Sequence, residues 1–333
     1  MRQPDGVEFR EYDARDAALV GEVVALRNAR KVADSPWSHP DTEARWAHWL
    51  THGWDGDVPR AFVGLVDGRV VVSGEVTFPT YDNPHWADLG INVRPEWGRR
   101  GHGSALMAQL LDHVRAAGRT SPAISGWDSV ATRRFAAHHG FAPKLVEVCR
   151  RHVLADTDWA TVRRLRDDAA AHASDYELLR IPGRTPPELL PAVAEMTAAI
   201  NDAPNDDLDI EPEVFTPERV EKYEQSTEAI SRLFRVIARH RPTGVLAGHT
   251  VVGVERDRPW IGEQDDTSVV GTHRGHRLGL WLKTEMALWL KADEPQLATI
   301  DTWNAKSNGH MIGVNEALGY RVLGESVYFQ ATL

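Results

Sequence analysis

Only one cysteine, Cys149, occurs among the 333 residues. This excludes an intramolecular disulfide and any zinc site built on cysteines, and no metal is expected. Long apolar runs are missing too: nothing approaches the ~18 consecutive apolar residues of a membrane-spanning helix. The opening stretch, MRQPDGVEFREYDARD, lacks the apolar core of a signal peptide. Positive charge is in deficit, with a formal net charge of -10, so the long-range field repels nucleic acid. The expectation is a cytoplasmic protein with neither nucleic acid nor membrane as partner. The chain does have apolar and charged residues in globular proportion, 42% and 26%. Its length exceeds what one hydrophobic core usually serves, so two domains are expected.

The chain repeats itself. LGINVRPEWGRRGHGSALMAQLLDHV (Leu89 to Val114) and TSVVGTHRGHRLGLWLKTEMALWL (Thr267 to Leu290) each run from a β-branched strand through a turn rich in Arg, His and Gly into an amphipathic helix. A second matching pair follows each: PAISGWDSVATRRFAAHHGF, ending at Phe141, and LATIDTWNAKSNGHMIGVNEALGY, ending at Tyr320. Gly140 and Gly319 suit helix C-caps. Both halves read as β-α-α-β-β-β-α-β-α-β. DTDWATVRRLRDDAAAHA reads as a connecting helix with Asp156 or Thr157 as its N-cap. The expected domains are 1–155 and 175–333, joined by 156–174.

A strand, a glycine-containing turn and a helix N-terminus form an anion site, because free N–H groups and the positive helix end converge there. Arg94, Arg99 and Arg100 in the first copy, and Arg274 and Arg277 in the second, can add charge-assisted bonds. A phosphate-containing ligand is implied. GxxxxGK[ST] is absent, and the meander of strands before Gly101-His102-Gly103 disfavours a Rossmann unit.

Val93 to Gly103, VRPEWGRRGHG, resembles the acyl-CoA loop of the Gcn5-related N-acetyltransferase (GNAT) family, V-x-P-x-x-[RQ]-x-x-G-x-[GA]. It departs by Gly98 at the Arg/Gln place. The later loop, Val269 to Gly279, has Arg274 at that place, but Arg277 for the first glycine and Gly271 for proline. The layout is similar to mycothiol synthase-like double-domain acetyltransferases. The resemblance implies an α/β fold of two tandem GNAT domains, each a twisted mixed sheet flanked by helices, with two central strands splayed around acetyl-CoA. It also implies which residues hold the cofactor. The pyrophosphate falls to Arg99, Arg100, Gly101, His102, Gly103 and Ser104, or to Arg274, Gly275, His276, Arg277, Leu278 and Gly279. Val93, Arg94 and Val269 flank the pantetheine, and Asn304 and Asn308 join them, with Ser125 and Ser129 at the corresponding places of the first copy.

Acetyl transfer by direct attack needs a neutral amine, a stabilised oxyanion and a proton for the departing thiolate. The family's frequent tyrosine acid falls at Ala136 and Asn315, so it is missing from both copies. Candidate bases are Glu263, Asp265 and Asp266 in the second half, and Glu75 and Asp88 in the first. Glu263, Asp266 and Asn308 are the candidate catalytic set. The segment 201–211 lies where this fold caps its acceptor, and Asp202, Asp206 and Asp207 there suit a cationic amine. Trp37, Trp46, Trp49 and Trp54 of the first half read as packing. Cys149 reads as a buried, inert thiol. The favoured function is acetyl-CoA-dependent N-acetylation of a small-molecule primary amine, by a monomer or homodimer. A non-catalytic acyl-CoA sensor and a protein N-terminal or lysine acetyltransferase are the alternatives.

Overall fold

The structure, a computed structural model, describes residues 6–333; the reading of the opening stretch lies partly outside them. The first half contains β1 (Glu8–Tyr12), α1 (Ala17–Asp34), α2 (Glu43–His52), β2 (Arg60–Val66), β3 (Arg69–Thr77), β4 (Trp86–Val93), α3 (His102–Ala116), β5 (Ser121–Trp127), α4 (Val130–His138) and β6 (Ala142–Val153). After α5 (Trp159–Ala171) the series repeats: β7 (Tyr176–Pro182), α6 (Leu190–Thr197), α7 (Pro217–Ile230), β8 (Ser231–His240), β9 (Leu246–Glu255), β10 (Ile261–Val269), α8 (Leu278–Asp293), β11 (Thr299–Ala305), α9 (Gly309–Ala317) and β12 (Arg321–Gln330). The element order expected for both halves is the order observed.

The chain divides into two compact units. Unit 1 is Met1–Val146 with Asp206–Pro212 and Gly324–Leu333; unit 2 is Glu147–Asn205 with Glu213–Leu323. This differs from a single cut between 155 and 174. The reason lies in strand pairing. Ser326–Gln330 of β12 pairs antiparallel with β5 in unit 1, and Glu147–Val153 of β6 pairs antiparallel with β11 in unit 2. Unit 1 thus has the sheet order β1-β2-β3-β4-β5-β12, and unit 2 the order β7-β8-β9-β10-β11-β6. Helix α5 packs within unit 2, where Val162 meets Ala287 and Val314. Its N-cap is Asp158, which accepts from the Ala160 and Thr161 amides at 3.0 and 3.1 Å. Of the two caps expected, Thr157 bonds to His152 and Asp156 pairs with Arg321.

Each sheet buries both faces, as its strands' near-continuous apolar runs require. In unit 1, Leu106, Met107 and Leu110 of α3 cover Val72, Leu89 and Ile124. Val20, Val23 and Leu26 of α1, with Trp46 of α2, cover the other face at Val63 and Val70. In unit 2, Leu278, Leu282 and Met286 of α8 meet Phe234, Val236 and Val252, while Val193 of α6 and Val220 of α7 meet Ile237. Each fully buried Leu of this kind contributes ~2 kcal/mol by transfer from water. Among the described residues no helix is long and apolar enough to cross a membrane.

Candidate active site

The parallel pair in each sheet is hydrogen-bonded over a short stretch only. In unit 1, β4 and β5 pair from Trp86–Ser121 to Leu89–Ile124. In unit 2, β10 and β11 pair from Ile261–Thr299 to Glu263–Asp301. Beyond those points the strands part, which leaves a cleft that opens toward the following loop and helix N-terminus.

The two loops share one backbone path. The Arg94 amide donates to Val71 and the Val270 amide to Ala247, both at 2.9 Å. A single tight turn follows, closed by Trp97 N–H to Arg94 O and by His273 N–H to Val270 O, each at 2.8 Å. Helical bonding then begins with Ala105 N–H to Gly101 O and Trp281 N–H to Arg277 O. Among the described residues, the N–H groups of 99–104 and 275–280 make no hydrogen bond to protein. These are two rows of donors of the kind that bind phosphate. The path needs left-handed backbone at two places per loop. Unit 1 supplies Arg99 (φ 63°) and Gly101 (φ 86°), and unit 2 supplies Gly275 (φ 86°) and Arg277 (φ 57°). Each copy keeps its glycine where the other has arginine, so the motif departures noted in the two sequences lead to one conformation.

The loop side chains differ in their partners. Arg94 is buried, donating to Val70 O at 3.0 Å and pairing with Glu22 at 3.3 Å. Arg100 donates to Glu96 O and lies 4.7 Å over the Trp97 ring. His102 is buried with both ring nitrogens unpartnered, and Ser104 Oγ bonds His139 at 3.0 Å. In unit 2, Arg274 donates to Asp202 at 2.6 Å and to Val269 O at 3.1 Å; Arg277 pairs with Asp168 of α5. A Cβ added at Gly279 would meet nothing within 4 Å, whereas one at Gly103 would meet Val93 at 3.1 Å and Phe135 at 3.4 Å.

The cleft of unit 2 has a bulge. The β10–β9 register shifts between Gln264 and Thr267, which leaves Asp265 and Asp266 outside the ladder. Gln264 bonds the Val251 carbonyl opposite the bulge at 2.6 Å and Thr250 Oγ1 at 3.0 Å, which holds the irregularity in place. In unit 1 the β3–β4 register runs residue for residue from Val72–Val93 to Thr77–Asp88. A bulge turns backbone groups away from the ladder and re-aims side chains.

Two carboxylates sit at the bulge. Burial raises both, and the Asp265 charge, then Glu213, lifts Asp266 well above the ordinary carboxylate range. The Tyr223 hydroxyl of α7 donates to Asp265, and Arg235 opposes the rise of both. Arg235 itself donates to Glu224 and Thr185, each at 2.7 Å. In unit 1, Asp88 stands exposed on β4, and burial raises Glu75. The Arg27 guanidinium lies 3.7 Å from Glu75, 2.8 Å from Asp41 and 4.0 Å over Trp46.

Other residues singled out from the sequence are dispersed. Glu263 is exposed on β10, before the bulge. Asn308 is the N-cap of α9, accepting from Met311 N–H at 3.2 Å, and Ser129 caps α4 in the same way. Asp206 and Asp207 belong to unit 1, where the Asp207 amide bonds Lys144 O at 3.2 Å, and Asp202 belongs to unit 2. Trp46 packs on Trp49 at 4.9 Å and Trp37 on Trp127 at 5.7 Å, while Trp54 is exposed. Cys149 is buried, and burial pushes its thiol up to about 12. Tyr223 and Gln264 carried no signal in the sequence, since their roles depend on a bulge that periodicity does not reveal.

Residues 23–141 match the model of the Acetyltransferase (GNAT) family. No curated protein matches the chain significantly. Among solved structures, a tandem GNAT protein from the clavulanic acid biosynthesis pathway superposes with a TM-score of 0.79 at 25% identity, over 98% of both chains. A GCN5-related N-acetyltransferase from Sphaerobacter thermophilus gives 0.70 at 16% identity, over 99% of this chain and 97% of that one. A glucosamine N-acetyltransferase region of a fungal multi-domain β-N-acetylglucosaminidase gives 0.70 at 15% identity, over 98% of this chain and 38% of that one. Residues 23–141 thus match the acetyltransferase (GNAT) family model, and along its whole length the chain has the fold of a tandem GNAT protein.

Proposed function

We propose that the protein is an acetyl-CoA-dependent N-acetyltransferase that moves an acetyl group to the primary amine of a small molecule by direct attack in a ternary complex, with unit 2 carrying the chemistry. The observation that carries this reading is the bulge at Asp265–Asp266, where β10 leaves its partner strand. The fit to the cofactor rests on the donor row 275–280 and the open space at Gly279. Gly275, His276, Arg277, Leu278 and Gly279 would hold pyrophosphate, and Val269 and Asn304 would flank the pantetheine. When bound, acetyl-CoA supplies an acetyl group activated as a thioester.

The chain's own groups then have defined tasks. A backbone N–H turned out of the ladder at the bulge is a preorganised donor for developing oxyanion charge. Asp266, raised by burial and by its neighbour, is a proton acceptor for an arriving ammonium. Tyr223 orients Asp265 beside it. Asn308 caps α9 through its side-chain oxygen. Asp202 pairs with Arg274 of the second loop. Steady thiol release from acetyl-CoA with a panel of small primary amines tests the reading, and a wild type that binds acetyl-CoA without turnover would favour a non-catalytic sensor.

A second reading places catalysis in unit 1. It is favoured by Asp88 beside the parting of β4 and β5, with Glu75, raised by burial, on the same sheet face. Asp88→Asn and Asp266→Asn distinguish the two by which one abolishes thiol release.

A further inference from the structure

The duplication provides an internal control for what the fold itself requires. Aligned on Gly103 and Gly279, Lys283 of α8 takes the place of Met107 in α3. Aligned on Gly140 and Gly319, Asn315 takes the place of Ala136, and Tyr320 that of Phe141. The strand pairings that begin each copy, Trp86 with Ser121 and Ile261 with Thr299, bring Asn304 into register with Gly126. In unit 1 the set is apolar and buried, with Met107 and Ala136 at 0% exposure. In unit 2 the same places hold a cation and two amides, with Lys283 at 3% and Asn315 at 0%. The fold therefore does not need the polar set, and burying an ammonium is costly unless something requires it.

The polar set forms a directed chain. Lys283 Nζ donates to Asn315 Oδ1 at 2.6 Å, and Asn315 Nδ2 donates to Asn304 Oδ1 at 2.7 Å. The orientation is forced at each step. An ammonium has donors only, so it must face the Asn315 oxygen; the Asn315 NH2 must then face the Asn304 oxygen. What remains at the end is the Asn304 NH2, a donor strengthened by a cation two bonds back. Asn304 keeps solvent contact. It stands beyond Asp301, the last β11 residue bonded to β10, on the parted stretch of strand. Burial lowers Lys283 to about 7; the ammonium also lies 4.8 Å from the Tyr320 ring, with His152 stacked on that ring's face at 4.7 Å.

We propose that Lys283 and Asn315 are positioning residues that fix the Asn304 amide as a hydrogen-bond donor to an amide carbonyl of the acyl-CoA pantetheine arm in the unit 2 cleft. The proposal rests on the reading of that cleft as the cofactor site. Asn304 would touch the ligand; Lys283 and Asn315 act through it.

The test installs the residues of unit 1. Lys283→Met with Asn315→Ala, Asn304→Ala, and all three together are compared with the wild type by calorimetric titration with acetyl-CoA and by thermal unfolding. The expected result is ~10-fold weaker binding, the scale of one well-oriented hydrogen bond, with Tm unchanged or raised in the Met/Ala variant. Asn304→Ala gives the same loss, and the triple variant adds little to it. Unchanged affinity in a folded Met/Ala variant, or unchanged affinity in Asn304→Ala should the former fail to fold, overturns the proposal and leaves the cofactor reading intact. Absence of acetyl-CoA binding by the wild type overturns the cofactor reading itself, and the proposal with it.

Discussion

The Arg274 guanidinium meets the Asp202 carboxylate at 2.6 Å, so the arginine at the Arg/Gln place of the second loop is ion-paired within its own chain. Both side chains are about half exposed. Such a pair contributes ~0.2–1 kcal/mol, and an incoming pyrophosphate must compete with it.

Replacing Asp202 by Asn is therefore expected to tighten acetyl-CoA binding about two- to five-fold at low salt, with the gain shrinking as salt rises. Titration at two ionic strengths checks this. Weaker binding would mean that Asp202 orients Arg274 and does not oppose the ligand.

The bulge carboxylates set the pH dependence. Burial raises Asp266 in the folded chain, so the folded state holds a proton that the unfolded state gives up near the ordinary Asp value of about 4. Its contribution to stability is fully present below that value and is lost as pH rises through the raised folded pKa. Asp266→Asn is expected to be more stable than the wild type at neutral and alkaline pH, with the difference vanishing below about pH 4. The same variant should lose ~10²–10⁴-fold in turnover and lack the rise of rate with pH that the wild type shows. Unfolding and thiol-release profiles measured across pH separate the two effects.

Cys149 is expected to be inert. Its thiol, pushed up to about 12 by burial, is almost wholly protonated at neutral pH, and the thiolate is the reactive form. Alkylation should proceed in denaturant and stall in the native protein. Cys149→Ala should keep turnover within about two-fold, at a stability cost of ~1 kcal/mol. Loss of turnover in a folded Cys149→Ala protein would place the thiol in the chemistry.

Much of the fold was legible because it is written twice. The helix periods of Leu106–Leu110–Val114 and Leu278–Leu282–Met286, the two glycine-bearing turns and the glycines after α4 and α9 are local signals, and local signals survive in sequence. The loop departures were legible as differences but not as equivalents, because only φ values show Arg99 doing for unit 1 what Gly275 does for unit 2. The unit boundaries were hidden in strand pairing between residues far apart in the chain, such as Phe329 with Ile124. The same holds for 206–212, whose Asp209 amide bonds Gln330 within unit 1. Asn308 illustrates the limit of local signals: an asparagine after a strand suits a cap and a ligand contact equally well, and the geometry shows the cap.

Gly279 offers the most direct test of catalysis by unit 2, since the structure has room for a side chain there that a bound pyrophosphate would need. Acetyl-CoA titration and thiol release with small primary amines should be measured on the wild type, Gly279→Trp and Gly101→Trp. The account predicts that Gly279→Trp folds normally yet loses both the binding event tied to turnover and the thiol release. Thiol release that survives Gly279→Trp and disappears in Gly101→Trp would contradict it, and would move the chemistry to unit 1.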